Sequence, residues 1–243
     1  MIDVHSHIIP GIDDGARTME MALDMARQTV DSGVTHLVCT PHMHWGTFDN
    51  TKAIIREGYA ALLESINAAG IPLTLSWAGE IRINEMVPVW FKDDKLPFLG
   101  QINNQQVLLL EMPHSNMPAG LDQLFRWFRN AGVQPLIPHP ERNRDIWKQP
   151  EKIQWLRNQG CMLQVTAGAF TGRFGDHVQK IAEEMLIQNQ IDVVASDTHD
   201  TLRRPNEMGA AFERVSVLHS AQRAKQLFVQ TPAEIVAANS VAT

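Results

Sequence analysis

The sequence begins with MIDVHSHIIPGIDDGA (residues 1–16), in which two histidines and three aspartates are interleaved with branched apolar side chains. The apolar residues, Val4 among them, predict a short buried strand that runs into a turn. Successive side chains of a strand point to opposite faces, so His5 and His7 project from the same face. Two imidazoles at this spacing favour a metal site on this strand.

Composition narrows the class of protein. The chain has 243 residues, 44% of them hydrophobic, which is enough for one sizeable core. Its formal net charge is −6 without a basic run, which argues against a nucleic-acid partner. No apolar run approaches the ~18 residues of a membrane span, and no signal-peptide profile is recognised. Because Cys39 and Cys161 both lie in apolar, strand-like contexts, we expect a cytoplasmic protein without disulfides or membrane insertion.

Helical and strand patterns alternate along almost the whole chain. Seven short strands are predicted at residues 2–4, 34–39, 73–77, 107–110, 134–137, 162–165 and 192–195. Helical periodicity occurs at residues 18–31, 52–69, 121–130, 151–158 and 177–188, and from 205 to the end. Such alternation is typical of a parallel sheet, and seven units in this length predict closure into a barrel. No linker-like segment interrupts the pattern, so residues 1–243 are interpreted as a single α/β domain.

Residues of the types that bind metals follow most of the predicted strands. The nine candidates are His5, His7, Asp14, His42, Glu80, Glu111, His139, Asp197 and His199. Any one of them alone would more often be structural, but active sites of β/α barrels lie at the C-terminal ends of the strands. The joint pattern therefore favours a metal centre. Nine ligands exceed the needs of one four-coordinate ion, and their mixture favours Mn, Fe, Co or Zn over Ca or Mg.

Several of these motifs resemble those of a known family. The motifs DVHSH, TPH, GE, PHPER and SDTH, together with Glu111, are similar to the successive motifs of the PHP (polymerase and histidinol phosphatase) superfamily. Within it, the longer segments DVHSHIIPGIDDGA, AGEIRI, HPER, CMLQVTAG with GRFG, and VVASDTHD are more specific. They resemble one branch most, the bacterial manganese-dependent protein-tyrosine phosphatases of capsule and exopolysaccharide loci. The resemblance covers essentially the whole chain. It implies a distorted TIM-like barrel of seven β/α units with three divalent metal ions, Mn²⁺ being the expected ion.

The resemblance also implies how the nine residues are divided among the ions. The implied sets are His5, His7 and Asp197 for one ion, Glu111 and His139 for a second that shares Glu80 with the first, and Asp14, His42 and His199 for the third. Asp13 and Asp200 are interpreted as turn residues or as residues that orient a ligand. The roles of His44 and His114 stay open.

The resemblance assigns substrate contact to arginine side chains. Arg142 is similar to the family arginine that contacts the substrate phosphate, while Arg204 is either a second such group or half of a surface ion pair. Arg142, His42 and His199 are the candidate catalytic residues. A hydroxide activated by the metals would attack phosphorus, while the cations and Arg142 stabilise the phosphate charge. The group that protonates the leaving phenolate is not identified by the sequence.

The expected function is hydrolysis of phosphotyrosine by a protein-tyrosine phosphatase, with a bacterial tyrosine autokinase of polysaccharide export as the expected partner. A cysteine-dependent phosphatase needs Arg six residues after its Cys, but Trp45 follows Cys39 and Ala167 follows Cys161 at that spacing. The alternatives are a small-molecule phosphatase such as a histidinol phosphatase, a metal-dependent amidohydrolase, and a non-catalytic regulator that binds a kinase. The predicted strand ends supply no lysine for an amidohydrolase, and the full ligand set argues against the regulator.

Overall fold

The structure is a computed structural model that describes residues 1–237. Its strands are β1 (Ile2–Asp3), β2 (His36–Cys39), β3 (His42–Met43), β4 (Thr74–Trp77), β5 (Glu80–Arg82), β6 (Gly100–Ile102), β7 (Gln105–Glu111), β8 (Val133–Pro138), β9 (Met162–Thr166) and β10 (Val193–Ala195). Its helices are α1 (Met19–Asp31), α2 (Lys52–Ala68), α3 (Val87–Lys92), α4 (Leu121–Asn130), α5 (Arg144–Lys148), α6 (Glu151–Asn158), α7 (Ala167–Phe170), α8 (Asp176–Ile187), α9 (Met208–Leu218), α10 (Ala221–Lys225) and α11 (Thr231–Val236). Within residues 1–237, none of these helices is long and apolar enough to cross a membrane.

Local sequence sets the ends of the two longest helices. The hydroxyl of Thr18 accepts a hydrogen bond from a backbone N–H in the first turn of α1, and Thr51 does the same for α2. Each side chain satisfies a donor that the helix itself leaves unpaired. After each helix, Gly33 and Gly70 take left-handed backbone conformations with φ of 82° and 65°. Glycine adopts this conformation without a steric penalty, so the chain turns there into the next strand.

The strands form two parallel sheets that meet. One sheet has the order β1–β2–β4, the other has the order β10–β9–β8–β7–β5–β3, and β6 pairs antiparallel with β7. Strands β2 and β3 are consecutive pieces of one extended stretch of chain, here called a strand path, and β4 and β5 form another. The hydrogen bond from the Ala78 N–H to the Cys39 carbonyl (2.9 Å) continues the pairing between these two paths. A parallel bridge between Ser6 and Thr198 joins the first path to the last. The seven paths therefore form the predicted distorted α/β barrel.

The barrel interior is a small apolar cluster to which every strand path contributes. Its members from the successive paths are Val4, Val38, Ala78, Leu109, Leu136, Met162 and Val193. Ile235 and Val236 of α11 belong to the same cluster, so this helix packs against it. Leu108 and Leu110 alternate with the inward residues of β7 and pack in the larger cluster under the helices. The unbroken apolar run of β7 thus reflects burial on both faces.

Some elements differ from the sequence-based prediction. The second and third predicted strands correspond to β2 and β4, and each is followed by a further short strand that was not predicted, β3 or β5. Strand β6 and the short helices α3, α5 and α7 were not predicted either. The turn between β6 and β7 uses Asn103 and Asn104 in left-handed conformations, which asparagine tolerates better than most residues. The helix predicted from residue 205 onward is divided into α9, α10 and α11. Residues 238–243, the end of that prediction, lie outside the described residues.

The turn after β1 folds back onto the first strand path. The backbone N–H of Ala16 donates to the carbonyl of His7 (3.0 Å), and that of Gly11 donates to the carbonyl of Ala16 (2.8 Å). A Cβ at Gly15 would lie 1.9 Å from the His7 carbonyl oxygen and 2.5 Å from the His7 Cβ. The turn can therefore close on His7 only because residue 15 has no side chain.

We expect Gly15→Ala to lower the free energy of unfolding by about 3 kcal/mol, because the new methyl group must push the turn away from His7. Gly11→Ala is the matched control, since its φ is 74° and no atom lies within 4 Å of its Cβ position. The control should lose only about 1 kcal/mol of backbone strain. Urea unfolding of both variants measures the difference. Equal losses in the two variants would contradict the role given to Gly15.

Candidate metal centre

All nine predicted ligands lie at the C-terminal ends of the strand paths, at one end of the barrel. Backbone pairing between the first and last paths brings two of their motifs together: Asp197 N–H donates to the His5 carbonyl, and His7 N–H donates to the Thr198 carbonyl, each at 2.9 Å. His139 and Asp197 take left-handed conformations, with φ of 40° and 53°. Such conformations are unfavourable for residues other than glycine and are common at functional sites.

A fully buried group forms around the imidazoles of His5 and His7. Their Nε2 atoms lie 3.2 Å apart. Each Nε2 also lies 3.4 Å from a carboxylate oxygen of Glu80 and 3.4 Å from Oδ1 of Asp197. Two imidazole nitrogens and two carboxylates therefore point at one small volume, as the first predicted ligand set requires.

A second group lies toward the surface and contains the third predicted set. Oδ1 of Asp14 is 3.4 Å from Nε2 of His42 and 3.4 Å from Nε2 of His199. The His7 ring lies between them, with its centroid 4.5 Å from that of His42 and 3.9 Å from that of His199. The Asp14 side chain is 51% exposed, whereas His199 is buried. This group therefore forms the open edge of the site.

The remaining predicted ligands lie on the other side of Glu80. One Glu80 oxygen is 3.1 Å from Nε2 of His139, and the other is 2.8 Å from Nδ1 of His42. Glu111 approaches His42 to 3.9 Å. Glu111, His139 and the half-exposed His114 each offer an atom within 4.8 Å of the others, and the His114 ring stacks on His139 at 5.0 Å. Glu80 therefore lies at the centre of the cluster, where a bridging ligand belongs.

Three histidines are oriented by partners behind their rings. Nδ1 of His5 contacts the side-chain oxygen of Gln164 at 2.7 Å, and Nδ1 of His7 contacts Asp13 at 2.8 Å. Nδ1 of His199 contacts the backbone carbonyl of residue 197 at 2.9 Å. These acceptors place the ring proton on Nδ1 and leave the Nε2 lone pair facing the cluster. Such partners are typical of histidines that bind metals.

Arginine side chains surround the cluster. Arg142 and Arg204 both donate to Oδ2 of Asp197, at 2.7 and 2.5 Å. Burial raises the pKa of Asp197, but the charge of Arg204 outweighs it and, with neighbouring histidines, holds that pKa well below its usual range. Arg82 forms an ion pair with Glu111 at 2.7 Å. The alternative of a surface ion pair for Arg204 is therefore wrong, because its partner is the buried Asp197, a predicted metal ligand.

The pKa values of the cluster reflect the burial of many ionisable groups together. Burial and the charge of Glu80 raise the pKa of Glu111 to about 7. Burial lowers the pKa of His139 to about 3 and that of His199 to about 4. Burial also lowers the pKa of His42, but the Glu80 carboxylate outweighs it and raises the value to about 10. His139 and His199 are thus neutral near pH 7, with lone pairs available for a cation.

Unpaired buried atoms test whether the cluster fits metal ions. Nδ1 of His42, Oε2 of Glu80, Oε2 of Glu111 and Nε2 of His199 are buried without a hydrogen-bond partner. The first two lie only 2.8 Å apart, yet do not have the geometry of a hydrogen bond. Buried polar atoms are rarely left unpaired in native proteins. Nitrogen and carboxylate donors that converge in this way fit divalent transition-metal ions.

Sequence reasoning missed three residues that support the cluster. Gln164 lies on β9, whose end carries no predicted ligand, and points inward two residues before the strand ends. Arg82 follows Glu80 at the spacing that places two side chains on one face of a strand. Oδ1 of the fully buried Asp3 accepts the backbone N–H groups of Ser196 (2.9 Å) and His5 (3.3 Å). Asp3 lies in the first histidine motif, so its position was a usable signal.

An aromatic cavity lies beside the open edge. The Phe48 ring stacks on His42 with a centroid distance of 5.4 Å, and Trp45 stacks on Trp90 at 5.8 Å. These aromatic residues and His44 line a cavity of about 360 Å³. The Trp45 side chain is 56% exposed. The cavity gives the site an apolar wall next to His42.

The two cysteines do not belong to the site. Cys39 and Cys161 are both buried and unpaired. Burial raises the pKa of both thiols, to about 12 for Cys161, so neither forms a thiolate near neutral pH. This agrees with the exclusion of a cysteine-dependent mechanism, because that mechanism needs a thiolate nucleophile.

Asp200, interpreted as a turn residue, accepts the backbone N–H groups of residues 202, 203 and 204 and shapes that loop.

Comparison with known proteins relates this site to a family. Residues 1–237 match the family described as capsular polysaccharide synthesis, CpsB/CapC. Tyrosine-protein phosphatase YwqE of Bacillus subtilis is 34% identical over 204 residues, which are 84% of this chain and 79% of YwqE. Tyrosine-protein phosphatase CpsB of Streptococcus agalactiae is 26% identical and covers 97% of this chain and 98% of its own.

Solved structures agree with this assignment. A crystal structure from work on YwqE of B. subtilis and CpsB of Streptococcus pneumoniae, described as unique metal-dependent tyrosine phosphatases, matches with a TM-score of 0.91. It is 30% identical and covers 98% of this chain and 94% of its own. A lactonase of Listeria monocytogenes matches with a TM-score of 0.59 at 13% identity, covering 96% of this chain and 93% of its own, which shows likeness of fold alone. The chain belongs to the CpsB/CapC family of capsular polysaccharide synthesis proteins.

Proposed function

We propose that this protein is a metal-dependent protein-tyrosine phosphatase that hydrolyses phosphotyrosine on a protein substrate. The observation that carries the proposal is the convergence of nine imidazole and carboxylate side chains with two arginines that meet on Asp197. The arrangement combines a cation-binding cluster with guanidinium groups that suit a phosphate. Relatives that align over most of the chain are named tyrosine-protein phosphatases.

We propose three divalent ions, with Mn²⁺ as the expected ion. The proposed sets are His5, His7 and Asp197; Glu111 and His139, with Glu80 shared between these two sets; and Asp14, His42 and His199. The unpaired buried atoms of Glu80, Glu111, His42 and His199 support the binding of cations by these residues. When bound, such ions supply positive charge that binds phosphate oxygens and activates water for attack on phosphorus.

The arginines and histidines of the chain take separate roles in the proposal. Arg142 and Arg204 each use one N–H group on Asp197, which orients the guanidinium groups and leaves other donors for the phosphate oxygens. His42 and His199 flank Asp14 at the open edge, which supports a catalytic role in orienting substrate and water. A phenolate has a pKa of about 10, so it leaves with less help than a serine alkoxide.

The aromatic wall supports tyrosine as the phosphorylated residue. Phe48 stacks on His42, and the exposed Trp45 lies in the adjoining cavity, so an aryl group at the site can contact apolar surface. We propose a bacterial tyrosine autokinase of capsule or exopolysaccharide synthesis as the physiological substrate. The unpaired Cys39 and Cys161 support a cytoplasmic location. Residues 1–243 are proposed to act as one catalytic domain.

Metal removal tests the proposed centre. We expect a strong chelator to abolish hydrolysis of p-nitrophenyl phosphate and Mn²⁺ to restore it, with about three ions per chain at full activity, because nine ligands exceed what two ions need. Mn²⁺ should also raise the Tm, since it binds only the folded cluster. Full activity with at most one ion would contradict the proposal. Alkylation of the two thiols under native conditions is the control and should leave turnover intact.

Two substitutions separate metal binding from phosphate binding. We expect His139→Ala to lose both turnover and metal, because it removes a proposed metal ligand that lies beside the proposed bridging residue Glu80. Arg142→Ala should retain its metal but lower kcat/KM about 100-fold, a loss of about 2.7 kcal/mol of transition-state stabilisation. Elemental analysis and steady-state kinetics measure both effects. An Arg142→Ala protein that loses metal as readily as His139→Ala would make Arg142 a structural support of the cluster.

A substrate panel tests the phosphotyrosine assignment. We expect kcat/KM for phosphotyrosyl peptides to exceed that for phosphoseryl peptides by at least ~10-fold, or roughly 1.4 kcal/mol. Trp45→Ala should reduce this ratio about 3-fold, because it removes apolar surface that only the aryl group reaches. Val217→Ala, at a position 82% exposed on α9, is the control and should leave the ratio unchanged. A preference for histidinol phosphate would instead assign a small-molecule phosphatase.

A further inference from the structure

We infer that the turn at residues 171–174, between α7 and α8, is a positioning element for the two arginines of the site. Phe174 fixes the guanidinium of Arg142, and Arg173 fixes the loop that carries Arg204. The inference rests on the proposed function, because it assumes that both arginines act on a phosphate group. It goes further in assigning a role to the GRFG segment, which contributes no proposed metal ligand.

Phe174 contacts Arg142 directly. The guanidinium carbon of Arg142 lies 4.6 Å from the centroid of the Phe174 ring, a cation–π contact. Nη1 of the same guanidinium donates to Oδ2 of Asp197 at 2.7 Å. The group is therefore held on one face by the ring and at one edge by the carboxylate. Its remaining N–H groups then keep a fixed direction, which lowers the entropic cost of binding a phosphate.

Arg173 acts on the second arginine through the backbone. Its Nε and Nη2 donate to the two carboxylate oxygens of Glu207, at 2.8 and 2.7 Å. Its Nη1 donates to the backbone carbonyls of Leu202 and Arg203, each at 3.4 Å. Those two residues immediately precede Arg204, whose guanidinium reaches Asp197. The Arg173 side chain therefore connects Glu207, the residue just before α9, to the loop at residues 200–204.

Gly168 on α7 makes room for both contacts. A Cβ at this position would lie 3.0 Å from Oε2 of Glu207 and 3.2 Å from the Phe174 ring. Both distances are tighter than ordinary packing, so a side chain here would displace the ring or the carboxylate. Arg173 itself stays partly exposed, with 31% of its side chain accessible. The turn thus contributes charged and aromatic contacts to the arginines in addition to any core packing.

Phosphate affinity tests the role of Phe174 in the Mn²⁺-loaded protein. We expect Phe174→Leu, which keeps apolar volume but removes the aromatic face, to weaken competitive inhibition by inorganic phosphate about 5-fold. Phe174→Tyr should restore it, and the metal content should not change in either variant. Phe212→Leu is the matched control, since this half-buried ring packs edge-on against another phenylalanine, Phe228, at 5.5 Å. Unchanged phosphate inhibition in Phe174→Leu would overturn the inference.

A double-mutant cycle separates positioning from a general structural effect. Because Phe174 acts through Arg142, Phe174→Leu should have no further effect on phosphate inhibition in an Arg142→Gln background, which offers no cation to the ring. Fully additive effects in the cycle would overturn the inference. If Phe174→Leu loses metal or stability, a second cycle combines Arg173→Gln with Arg204→Gln. Arg173→Gln should then have no further effect on phosphate inhibition in the Arg204→Gln background, and full additivity would overturn the inference.

The same experiment distinguishes this inference from the proposed function. If the wild-type protein hydrolyses p-nitrophenyl phosphate and Phe174→Leu leaves inhibition by inorganic phosphate unchanged, the inference fails but the proposed function stands. A wild-type protein without activity on any aryl phosphate defeats the proposed function. In that case calorimetric titration of the Mn²⁺-loaded protein with inorganic phosphate still measures whether Phe174 contributes to anion binding. Equal affinities of wild type and Phe174→Leu in that titration would again overturn the inference.

Discussion

The pairing of the first strand path with the last is the constraint on which the rest of the structure depends. Asp197 N–H donates to the His5 carbonyl and His7 N–H donates to the Thr198 carbonyl, although nearly the whole sequence separates the two segments. The buried carboxylate of Asp3 strengthens the junction by accepting the Ser196 N–H. These bonds close the barrel, and they also place the two motifs richest in potential ligands next to each other. The contacts that close the barrel therefore also assemble the site.

Asp197 links the two parts of the site through its separate oxygens. Oδ1 lies 3.4 Å from the Nε2 atoms of His5 and His7, while Oδ2 accepts both Arg142 and Arg204. A carboxylate shared in this way would offer one oxygen to a bound cation while the other accepts from the guanidinium groups. The negative charge is buried, so removing either set of partners would leave it less fully compensated. The cation cluster and the arginines are thus coupled through a single side chain.

Sequence periodicity predicted the barrel and all nine clustered residues because both follow from local rules. Short strands rich in apolar residues, and the polar residues that follow them, are visible in a single sequence. The features that the sequence did not predict depend on contacts between distant segments of the chain. Gln164 matters only because β9 faces His5 across the barrel, and β6 forms only because β7 offers a free edge after a two-asparagine turn. No local pattern encodes either neighbour.

Most of the predicted metal ligands lie at rigid strand ends, whereas the two arginines lie on loops. His5, His7 and Glu80 are fully or almost fully buried at strand ends, where backbone pairing fixes their positions. Arg142 lies just beyond β8 and Arg204 in the loop after β10, so both can adjust more than the strand residues. Loops that must hold a charged group in one direction need contacts of their own. The turn at residues 171–174 supplies such contacts through Phe174 and Arg173, neither of which is among the nine predicted metal ligands.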